Sequence, residues 1–184
     1  MKNPTTNDPF HTESWSQECA PNPYRVFTLC FENAGTIDQL RKMMLRLPLF
    51  MDQSRPVTKV CSYRISCAVM AISSVIDAAH QLYKEKESIP MDKLPEYSYF
   101  FYTQTAPEYR SFATYLITES EYSNMRNVFR KFFNYKSRED WQSELQGLLY
   151  YSLTDHSVEV EINSFAIWFY LTKLLEAAYI LGRC

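Results

Sequence analysis

Cys61, Cys67 and His80 fall within one stretch of helical periodicity, and residues of these types could ligate a metal or activate a thiol. Their spacing argues against both. Side chains share a helix face at separations of three, four or seven, and these lie six and thirteen apart. The five cysteines, at 19, 30, 61, 67 and 184, form no CxxC and no Cys/His cluster. HExxH is absent. Glycine occurs only at 35, 147 and 182, so neither GxGxxG nor GxxxxGK[ST] can be written, and the usual phosphate cradles are missing. A cysteine nucleophile served by a distant histidine needs no short spacing, but nothing in the chain selects one. No catalytic residue, cofactor or metal is assigned, and an enzyme of unknown class stands as the third reading, behind the two below.

A second chemistry is phosphate contact. The segment RNVFRKFFNYKSRED places Arg126, Arg130, Lys131, Lys136 and Arg138 in thirteen positions without an acid. Residues 139–161 then carry six acids and no base. On a helix, Tyr122, Met125, Phe129, Phe132 and Phe133 share one arc, which spaces the rings for a core and not as stacking platforms for bases. Basic residues near a helix C-terminus followed by Glu139 and Asp140 in a first turn are what two successive capped helices produce. Arg126, Arg130, Lys136 and Arg138 therefore belong to an alternative reading, a nucleic-acid-binding regulator. A second candidate for that alternative is YRVFTLCFENAGTIDQLRKMMLRL, with Arg41, Lys42 and Arg46 on the second helix of a helix-turn-helix layout. The net charge of −2 gives no general basic excess to support either.

The elements that would position these groups are mostly helical. Thr36 caps a helix from about Ile37 to Leu47 that should stop before Pro48. Residues 57–86 repeat apolar positions from Cys61 through Ile65, Ala68, Ile72, Val75, Ala79 and Leu82, giving a long amphipathic helix. A helix over 107–117 follows three prolines. Thr118 with Glu121 has capping-box spacing and predicts a helix running to about Tyr135. Ser137 with Asp140 predicts another, Arg138 to about Leu153. Asn163 caps the last helix, Ser164 to Leu181, ended by Gly182. Up to two short strands are expected: near 157–162, where apolar and polar residues alternate, and near 24–32, where the apolar run fits either a strand or a short helix. Residues 1–23 hold four prolines and read as an extended or mobile arm. Residues 24–184 read as a single domain, a compact helical domain of five or six helices.

The last helix carries the functional expectation. Lys173 and Glu176 in its middle argue against a membrane span. If Thr172, Lys173 and Glu176 mark its outer arc, then Phe165, Phe169 and Ile180 lie on that arc and need covering. These three are the candidate partner-binding residues, for a protein partner or a second copy of the chain. An enclosed central helix, with Lys173 and Glu176 paired at i, i+3, is the competing reading. Odd, scattered cysteines and an N-terminus, MKNPTTNDPFHTESW, without an apolar run point to a reducing, cytoplasmic setting. The expected function is a non-enzymatic intracellular interaction or regulatory protein acting through helical and aromatic surfaces.

Overall fold

Asn22 starts the first helix: its side chain accepts the Arg25 N–H at 3.3 Å, and Pro23 occupies the first turn, where its missing N–H has no helical partner to lose. The computed structural model describes residues 22–51, 62–85, 89, 116–154 and 163–183. Seven α-helices run through them: α1 (Pro23–Leu29), α2 (Ile37–Met51), α3 (Ser62–Lys84), α4 (Glu119–Tyr122), α5 (Arg126–Tyr135), α6 (Arg138–Leu153) and α7 (Ser164–Leu181). A π-helical turn, Cys30–Ala34, follows α1. No strand occurs among the described residues. The protein is a compact, mostly α-helical bundle.

Residues 24–32, left open between a strand and a short helix, are helical: they form α1 and the start of the π-helical turn. Val26, Phe27 and Cys30 are fully buried, a helical and not an alternating spacing. The run was too short for its period to be read from sequence. The strand expected near 157–162, most of the helix expected over 107–117, and residues 1–21 of the expected arm lie outside the described residues.

Capping chemistry sets most of the other boundaries. Thr36 accepts the Gln39 N–H while Gln39 Oε1 accepts the Thr36 N–H, at 3.3 and 3.0 Å. Thr118 with Glu121, and Ser137 with Asp140, form reciprocal capping boxes. Asn163 Oδ1 accepts the Ala166 N–H at 2.9 Å. Two expectations are corrected. α2 runs through Pro48 to Met51, so that proline removes one backbone bond without ending the helix. The helix expected from 119 to 135 breaks between Tyr122 and Arg126. There the Asn127 and Val128 N–H groups bond to carbonyls three residues back.

Packing centres on α3 and α7. α3 lies against α1, α5, α6 and α7, and α7 lies against α1, α2, α3 and α5. Both are long and apolar enough to cross a membrane, but two thirds of each apolar stretch is buried inside the bundle. They serve as core helices here. The corner between α5 and α6 is locked by Trp141. Its ring stacks on Phe132 with centroids 4.3 Å apart, and its Nε1–H donates to the Phe132 carbonyl at 3.1 Å. An indole can be fully buried when its one donor is satisfied in this way.

α7 ends against α1. The Thr28 hydroxyl donates to the Gly182 carbonyl at 2.8 Å. Gly182 ends α7, as expected, with an ordinary right-handed φ of −71°. It is glycine because of space. A Cβ there would sit 2.9 Å from the Thr28 nitrogen and 3.0 Å from the Phe27 carbonyl carbon. Gly147, inside α6, has no atom within 4 Å of its notional Cβ. Gly182→Ala should therefore lower the urea midpoint, by about 1–3 kcal/mol of stability for an overpacked contact. Gly147→Ala should raise it by about 0.4–1 kcal/mol. Chemical denaturation of the two variants beside the parent chain checks both signs.

Candidate interaction surface

α7 changes character along its length. From Leu171 to Leu181 every residue is buried, polar ones included. Thr172, Lys173 and Glu176 are 3, 8 and 0% exposed, so they mark an enclosed arc and not an outer one. Ile180 is likewise fully buried, which removes it from the expected partner surface. The enclosed reading is the one observed, but Lys173 and Glu176 are held by other elements.

Glu176 Oε1 accepts from Arg41 Nη2 at 2.6 Å, and its Oε2 accepts the N–H groups of Leu116 and Ile117 at 2.8 and 3.2 Å. Arg41 also reaches Asp38 at 3.2 Å. One turn earlier, Lys173 lies 2.8 Å from Glu121 Oε1, which Lys131 meets at the same distance. Glu121 is therefore both the α4 capping partner and the acceptor that ties α5 and α7 together. The capping-box spacing showed the first role. Nothing local to residue 121 showed the second.

The first turns of α7 form the open part. Phe165 is 70% exposed, the most exposed large apolar side chain among the described residues. Its ring lies 6.2 Å from Phe169 and 5.5 Å from Trp168, and Phe169 is 5.5 Å from Tyr170. Tyr170 stacks on Tyr135 at 4.4 Å. Phe169, Trp168 and Tyr170 are partly buried and Tyr135 is 39% exposed. The result is a run of rings from α7 across to α5. Beside it, a hollow of about 130 Å³ is lined by Val128, Lys131, Phe132, Phe169, Tyr170 and Lys173. The Lys173 ammonium sits 5.3 Å from the centre of the Phe169 ring, a cation–π distance.

The basic residues of the alternative reading do not converge. Arg41 is buried in its pair with Glu176, so the second helix of the helix-turn-helix layout turns that base inward. Lys42 and Arg46 are exposed on α2. Arg126 donates to the Tyr83 carbonyl at 3.2 Å. Lys136 pairs with Glu144 and lies 6.0 Å over the Trp141 ring. Arg138 bonds Asp77 at 2.7 Å. Asp77 also accepts from Gln142, which is bonded in turn to Ser73, in a polar seam between α3 and α6. Arg130 is exposed. Arg41, Lys136 and Arg138 are held by ion pairs to other elements, which the sequence did not show.

The reactive groups among the described residues are muted. Cys30 is fully buried, and burial pushes its thiol up to about 12, away from the nucleophilic thiolate. Cys67, expected off the apolar face, is also buried. His80 packs against the Tyr83 and Phe133 rings, and burial, then Lys84 and Arg138, lower its pKa. Among the described residues no group of three His, Cys, Asp or Glu side chains is placed to hold a metal ion.

Glu121 supplies a pH test. Burial alone would raise its pKa, but hydrogen bonds from Lys131, Lys173 and the Thr118 N–H outweigh it and hold the carboxyl at about 2. The folded value lies below the unfolded one. Its contribution is therefore present above the ordinary carboxylate range and lost as pH falls through that range toward 2, a swing on the order of 3 kcal/mol. Thermal midpoints measured from pH 6 to pH 2 should fall more steeply for the parent chain than for Glu121→Gln. Parallel curves would remove Glu121 as an electrostatic anchor.

No protein-family model, no curated protein and no solved structure matches this chain.

Proposed function

We propose that this chain is a non-enzymatic, intracellular interaction or regulatory domain that associates through the aromatic surface at the start of α7, with Phe165 and Phe169 as its anchors and a second copy of the chain as the occupant. One observation carries the reading. A helix enclosed from Leu171 onward leaves Phe165 70% exposed in its first turn, with Phe169, Tyr170 and Tyr135 in ring contact along the same surface.

Two physical points support it. Covering a Phe side chain contributes roughly 1.5–3 kcal/mol, and aromatic residues are the ones that most often anchor interfaces. Symmetric pairing is the commonest arrangement of soluble oligomers and brings the same patch from both copies together. Lys131, 58% exposed at the side chain, edges the surface and gives it a polar rim. The nucleic-acid alternative draws less support, because Arg41, Lys136 and Arg138 already face carboxylates.

Phe165→Ser with Phe169→Ser should give a folded protein of smaller hydrodynamic size in analytical ultracentrifugation. An unchanged sedimentation coefficient in a folded double variant would end the self-association reading. Steep, salt-dependent binding of the parent chain to random duplex DNA would put the alternative in its place.

A further inference from the structure

The other end of α7 carries a different feature. A groove of about 370 Å³ opens there, lined by Thr28, Phe31, Glu32, Ile37, Tyr179 and Arg183, with Thr36 and Gly182 at its edges. It lies roughly 25 Å along the helix axis from Phe165, so it is separate from the aromatic surface. The volume is at the small end of the range for ligand sites. One wall is the π-helical turn Cys30–Ala34, closed by Gly35 at φ 139°, a backbone that side-chain-bearing residues rarely adopt. Single π-helical turns are rare and concentrate at functional sites.

The lining has two chemistries. Phe31 and Tyr179 meet edge to face with centroids 5.1 Å apart and, with Ile37, make an apolar aromatic wall. Charge of both signs borders it. The Arg183 guanidinium lies 4.5 Å over the Tyr179 ring and donates to its hydroxyl. The Glu32 carboxylate is more than half exposed, with Arg25 at 3.8 Å, an open pair that an incoming ammonium can displace. We propose that this groove binds a small aromatic zwitterion of amino-acid size, its ring on Phe31, Ile37 and Tyr179, its carboxylate toward Arg183 and its ammonium toward Glu32.

Three probes separate the parts of this proposal: L-phenylalanine, phenethylamine and 3-phenylpropionate, titrated into the full chain by calorimetry with saturation-transfer NMR alongside. L-phenylalanine should bind about fivefold or more tightly than either singly charged analogue, the ratio expected from one added charge-assisted contact. Glu32→Gln should erase its advantage over 3-phenylpropionate, and Arg183→Gln its advantage over phenethylamine. Both side chains are exposed, so circular dichroism should show both variants folded. Absence of binding at millimolar probe overturns the site. So does a singly charged analogue binding as tightly as L-phenylalanine, or a preference that survives both variants.

Discussion

A carboxylate with no exposed surface sits in the middle of the most apolar helix of this protein, and the arrangement of the other helices follows from how it is satisfied. Removing an ion from water costs several kcal/mol even after relaxation. Glu176 offsets this with Arg41 on one oxygen and two backbone N–H groups on the other. These donors come from α2 and from the segment entering α4, so one side chain fixes three parts of the chain relative to each other. Lys173, one turn earlier, repeats the device with Glu121 and brings in α5 through Lys131. A core made only of Leu, Ile and Phe contacts would tolerate small rotations of α7. Directional bonds at 2.6–2.8 Å do not.

The same constraint shapes the functional surface. With Lys173 and Glu176 facing inward, the arc they share is closed from Leu171 onward, and the open ring surface is confined to the first two turns of α7. Arg41 is drawn inside, and Lys136 and Arg138 are held by Glu144 and Asp77, so these three bases are used in the protein's own architecture.

Much of the fold was legible in the sequence, for local reasons. Thr118, Ser137 and Asn163 announced helix starts because a cap is a contact between residues three apart. The apolar period of α3 revealed a buried helix, and the arc of Phe129 and Phe132 revealed which way α5 faces. What the sequence hid was long-range. Glu176 and Lys173 looked like the outer edge of α7 because charge is normally a marker of solvent, and their partners lie 135 and 52 positions away. That inversion leaves Ile180 buried and Phe165 exposed, although both were placed on one outer arc. α1 was ambiguous because seven residues do not establish a period. Gly182 was legible as the end of α7, but the reason for glycine there is the approach of α1, which no local pattern encodes.

The most direct measurement is a double-mutant cycle on Glu176 and Arg41, using Glu176→Ala, Arg41→Ala and the pair, each followed by urea denaturation at pH 7. Breaking one side of a buried ion pair leaves the other charge uncompensated, so each single variant should lose about 3–5 kcal/mol. The double variant should lose clearly less than the sum, because neither charge is left buried without its counter-charge. Single losses under about 1 kcal/mol, or losses that simply add, would show that Glu176 does not hold the helices in register.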